Sequence, residues 1–122
     1  MWPYQRFDAW KFSHDLAIDV YRITRQWPLE ERFGLTSQVR RAAYSIGANI
    51  AEGSAKLGPR EFRRYLDISV GSLSGLSYAL LLARDLGYVS QSDAERLRTK
   101  LDRASRVLWG LYRSVMGRKA KS

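Results

Sequence analysis

The stretch from Pro59 to Leu86 constrains the fold more than any other part of the chain. Phe62, Leu66, Ser69, Leu73, Leu76, Leu80 and Ala83 recur at helical spacing and line one face. Ile68, Gly71, Gly75, Leu82 and Leu86, on the other side, are also apolar or small. No charge interrupts the chain between Ile68 and Ala83. A helix that is apolar on both sides has to be covered on both sides. A chain of 122 residues builds one core. The second flank therefore needs a cover from outside the subunit.

Three more helices read from the same period. The first runs from about Asp8 to Gln26, with Leu16, Val20, Ile23 and Trp27 on one face and Pro28 as its stop. Phe33 and Leu35, around the following linker, are expected to cap the end of the bundle. The second runs from about Thr36 to Leu57, with Thr36 or Ser37 as N-cap. Leu35, Val39, Ala42, Ala43, Ile46, Ile50 and Leu57 are its apolar face. Pro59 suits the first position of the third helix, and Gly87 its end. The fourth starts near Ser90, with Ser92 and Glu95 spaced as a capping box, and ends at Gly117. Its Leu97, Leu101, Ala104, Leu108, Leu111 and Val115 alternate at four and three. Four helices with short breaks predict an all-α, up-down-up-down antiparallel four-helix bundle over residues 1–117, followed by a basic tail over 118–122.

The formal net charge is +9 and the pI about 10.3. Nine Lys and Arg against three Asp and Glu fall in residues 93–122, which hold two thirds of that surplus. A basic, arginine-rich helix is the footprint of a polyanion binder. Arg96, Lys100 and Arg103 form one stripe, and Arg106 and Arg113 another. Helical salt pairing of Glu95 with Arg98, and of Asp102 with Arg98 and Arg106, would leave Arg96, Lys100, Arg103 and Arg113 unmatched within their own helix. Arg40, Arg63 and Arg64 extend the candidate nucleic-acid set. Tyr44 and Tyr65 lie near them and could stack on unpaired bases, although tyrosines in bundles more often pack.

A polar stripe in the second helix, Gln38, Arg41, Ser45, Asn49 and Glu52, reads more readily as a hydrogen-bonded seam between helices or subunits than as a binding surface. Ile68, Gly71, Gly75 and Leu82 join it as an oligomer or interhelix seam, because small residues let backbones approach closely. Enzymatic chemistry finds little support. There is no cysteine and one histidine, His14. No phosphate-binding glycine loop and no Ser/His/Asp set occurs. Asp15 and Asp19 stand one turn apart and could hold a metal, but such pairs are usually solvated. No cofactor is expected. No apolar run of membrane-spanning length and no signal-peptide order is read in the sequence, so a cytoplasmic location is expected.

The run Gln38–Gly53, QVRRAAYSIGANIAEG, resembles the signature of the bacterial bundle proteins encoded within 23S ribosomal RNA intervening sequences. Phe7 and Trp10, Glu31-x-Phe33-Gly34-Leu35, Glu61-Phe62-x-x-Tyr65-Leu66, Gly71-Ser72-Leu73 and Leu86-Gly87-Tyr88 extend the likeness over nearly the whole chain. Ser74 departs from it, standing where the resemblance leads one to expect an acidic residue. The resemblance implies a four-helix bundle, a homopentameric ring with an axial channel, and no transferable catalytic residue. It also implies a distant kinship with accessory proteins of diversity-generating retroelements, which bind nucleic acid and a reverse transcriptase. The function expected is thus a non-enzymatic oligomer that binds RNA or DNA. The alternative is a scaffold docking a protein partner such as a reverse transcriptase, with Trp2, Tyr4 and Phe7 as its contacts.

Overall fold

The computed structural model describes residues 1–121, with side chains through Gly117. Four helices follow one another: α1 (Asp8–Thr24), α2 (Leu35–Ser54), α3 (Pro59–Asp85) and α4 (Gln91–Lys121). Each packs on its two neighbours in the cycle α1–α2–α3–α4–α1. Contacts pair one end of a helix with the opposite end of its neighbour, and middle with middle. Thr24 meets Arg40, Ile46 meets Ser69, Arg63 meets Met116, and Asp19 meets Arg96. The bundle is therefore antiparallel, up-down-up-down, as the periodicity predicts.

The core is built from the predicted stripes. Leu16 and Val20 of α1, Val39, Ile46 and Ile50 of α2, Leu66, Leu73 and Leu76 of α3, and Leu97, Ala104, Leu108 and Val115 of α4 are buried. Local chemistry sets the boundaries, and here several expectations change. Neither Thr36 nor Ser37 is the cap of α2, because the helix has already begun at Leu35. The Leu35 N–H instead donates to Glu31 Oε1 at 3.1 Å, and Glu31 Oε2 accepts from the Tyr88 hydroxyl at 2.9 Å. One carboxylate thus ties the α1–α2 linker to the α3–α4 turn and pushes the Tyr88 phenol pKa up. The N-cap of α4 is Ser90, which accepts from the Asp93 N–H, rather than Ser92. Pro59 and Gly87 act as expected: Pro59 opens α3, and Gly87 turns the chain after it with φ 83°. Leu57 lies beyond the end of α2 and is fully exposed, and Phe33 is exposed beneath the Arg32 guanidinium rather than capping the bundle. Helix α4 continues past Gly117 to Lys121, so that glycine does not stop it. The side chains of the expected basic tail, 118–122, lie outside the described residues.

The α2–α3 pair is the closest. Gly53 faces the start of α3, where an added Cβ would sit 2.7 Å from Tyr65 Cβ and 2.9 Å from Phe62 Cδ1. Tyr65 Cβ is fixed by its backbone, so the helices would have to separate. Gly53→Ala is expected to lower stability by about 1–2 kcal/mol, overpacking outweighing the gain in helix propensity. Gly110→Ala in α4, where a Cβ meets nothing within 4 Å, should raise it by up to about 1 kcal/mol. Urea midpoints of the two variants check both signs. By length and composition α3 also contains a window apolar enough to cross a membrane, which the charge-free stretch alone did not suggest; in the bundle it packs between α2 and α4.

Candidate nucleic-acid interface

The basic stripes of α4 meet different fates. Asp19 is buried on the core side of α1, between Leu16 and Val20. Arg96 grips it with two hydrogen bonds, Nε to Oδ2 at 2.8 Å and Nη2 to Oδ1 at 2.9 Å. Lys100 Nζ lies 3.2 Å from the same carboxylate and 3.1 Å from Asp15. Arg96 also pairs with Asp93, three residues earlier in its own helix, at 2.6 Å. Hydrogen bonding from Arg96, then from Lys100, outweighs desolvation and holds the Asp19 carboxyl below the usual range. The Arg96 guanidinium is correspondingly pushed up, first by Asp19 and then by Asp93. One turn on, Arg103 lies over the Phe12 ring, 5.1 Å from its centroid. Arg96, Lys100 and Arg103 thus fasten α4 to α1. Asp15 and Asp19, the pair considered for a metal, serve the same seam.

Arg40 is also anchored, its Nε donating to Thr24 Oγ1 at 2.8 Å while its guanidinium covers Tyr21. Arg63 is half-buried against Met116, and Arg64 is exposed beside Glu61. The salt pairs expected along α4 between Glu95, Arg98, Asp102 and Arg106 do not form among the described residues. Arg106 and Arg113 are exposed and have no acidic partner among the described residues. They are the members of the predicted set most available to an anion.

The polar stripe of α2 divides. Ser45 Oγ and Ser72 Oγ hydrogen-bond across to α3 at 2.8 Å, and Asn49 Nδ2 donates to Ser45. These make the interhelix seam. Gln38, Arg41 and Glu52 are exposed and stand outside that seam. Gln38, Arg41 and Ser45 edge an open groove of about 450 Å³, whose far wall is Ile68, Gly71 and Gly75. The outward face of α3 continues as Tyr78, Leu82 and Leu86, all exposed. An added Cβ at Gly71 or Gly75 meets nothing within 4 Å. Packing inside the subunit does not require those glycines.

One residue escaped the sequence reading. Trp109 is 42% exposed at the α3–α4 groove, three residues after Arg106 and four before Arg113. That spacing puts all three on one flank of α4. The signal is legible as Arg106-x-x-Trp109-x-x-x-Arg113, on the flank of α4 away from its leucine repeat. Three of the aromatics named from the sequence are packed. Lys56 covers Tyr65, Tyr4 packs edge-on against Trp10, and Phe7 meets Phe62. Tyr44 and Trp2 remain exposed. His14 is exposed and stacks on Trp10.

The family model described as 23S rRNA-intervening sequence protein matches residues 5–110. The chain belongs to that family. A solved structure, described as a protein of unknown function from the S23 ribosomal protein family of Bacteroides thetaiotaomicron, superposes with a TM-score of 0.75 at 20% identity. The match covers 85% of this chain and 97% of that one, and it supports the bundle fold. No curated protein matches the chain. That neighbour is described as a protein of unknown function, so the comparison supplies an architecture and no activity.

Proposed function

We propose that the protein is a non-enzymatic, self-assembling bundle of the cytoplasm that binds RNA or DNA through the basic surface of α4. The carrying observation is the pair Arg106 and Arg113, exposed on the most basic helix and matched by no acid among the described residues. Planar guanidinium forks suit phosphate oxygens. Assembly is supported by the outward apolar face of α3, and copies joined there would pool their positive fields. The non-enzymatic reading is supported by the commitment of Asp15 and Asp19 to Lys100 and Arg96.

A salt titration of binding to RNA and to DNA tests the reading. Affinity should be measurable at low salt and fall linearly in log–log form as counterions are reabsorbed. Arg106→Gln with Arg113→Gln should weaken binding and reduce the slope by about two, one for each phosphate contact. Absence of binding at low salt would overturn the proposal. So would an unchanged slope in the double variant, because the phosphates would then sit elsewhere.

A further inference from the structure

We propose that the Trp109 end of the α3–α4 groove takes one unstacked base of a single-stranded nucleic acid, its flanking phosphates resting on Arg106 and Arg113. The inference rests on the nucleic-acid reading above and names its substrate class. The groove here is about 270 Å³, with room for a planar heterocycle. Val70, Leu73 and Leu101 form an apolar floor, and the half-exposed indole of Trp109 closes one side. Tyr112 packs against that indole edge-to-face, with ring centroids 5.5 Å apart at 70°. The indole is thereby held in place before any ligand arrives, which lowers the ordering cost of binding.

Charge selects the occupant. Asp102 lines the same groove, beside Ser74 and Ser77. Its carboxylate repels a phosphate or an acidic peptide inside the groove but accepts hydrogen bonds from base amino groups. Phosphates are left to the arginines outside it. A base therefore enters and its backbone stays out. A second copy of this chain has a different face to dock on, the exposed apolar side of α3. The groove also lies on the α4 side of α3, whereas Ile68, Gly71 and Gly75 face the α2 side. A duplex keeps its bases stacked, so their faces cannot reach an indole set between two helices. Stacking on an aromatic is available to a single strand of any sequence.

The test is fluorescence anisotropy at low salt with a short labelled single-stranded RNA and with its duplex. Trp109→Ala should weaken single-strand binding about tenfold, the scale of one lost base–aromatic stack. Duplex affinity and the salt slope should not change, because no phosphate contact is removed. Trp109→Phe should recover most of the loss, which separates stacking from a general disturbance of α4, and melting curves confirm that both variants fold. Loss that is equal on both probes, or no loss on either, overturns the base site while leaving the phosphate reading intact. A lighter particle in sedimentation of Trp109→Ala would assign this face to a second copy and overturn it as well. If the wild-type protein binds neither probe, both readings fail together.

Discussion

Replacing Asp19 by asparagine is expected to cost about 2–3 kcal/mol and to lower the melting temperature by about 10 °C. The aspartate is buried, while Arg96 and Lys100 converge on it from α4. Asparagine keeps the shape but removes the charge, and turns one acceptor into a donor aimed at a guanidinium. Arg96 and Lys100, one turn apart on α4, then lose the buried charge they share and keep only Asp93 and Asp15 as partners. The cost is tempered because Arg96 remains partly in water, where its charge is screened. The pH dependence follows from the lowered carboxyl pKa. The folded value lies below the reference of 3.8. The contribution is therefore complete above the unfolded value and disappears as the pH falls through the folded one. Urea midpoints from neutral pH downward should show a steeper acid loss in the wild type than in Asp19→Asn. Asp19→Asn with Arg96→Gln should cost less than the two single changes added together, since the two side chains act on each other. Additive costs would mean that the ion pair is not what holds α1 to α4.

The seam also marks the limit of what was legible in the chain. Each helix shows its own stripe, and the stripes of all four are found in the core, because burial follows period. A charge network between helices depends on register, which no single helix displays. Even so, Asp19 between Leu16 and Val20 was a usable sign, since an acid on a buried face requires a cation. Asp93, three residues before Arg96, was legible too, and it removes Arg96 from the free arginines. The end of α2 was misplaced for a tertiary reason. Gly53 packs on the start of α3, the helix ends one residue later at Ser54, and Leu57, though in phase, is left exposed beyond it. Trp109 was obscured by the same regularity that made α4 the clearest helix. Its outward flank breaks no pattern and becomes a candidate site only when α3 supplies the other wall.

Alanine at both Gly71 and Gly75 should push the protein in two directions at once. Within one subunit each added methyl meets open space, and each removes the entropic penalty of a helical glycine. The isolated bundle should gain about 1–2 kcal/mol from the pair. Between subunits the same methyls occupy the place where a neighbouring backbone would lie, and they force the helices apart. The assembly should weaken as the fold strengthens, a combination that general damage to the bundle cannot produce. Sedimentation velocity over a concentration series reads the first effect, and denaturant midpoints at dilutions where the chain is monomeric read the second. Leu82→Glu gives an independent check, because a charge on that exposed position should hardly change the monomer yet should oppose burial of the face. Wild-type protein that stays at 14.1 kDa when concentrated would show that the apolar flank of α3 is not covered by its own kind. Glycines at 71 and 75 would then have no packing role within the bundle or between its copies.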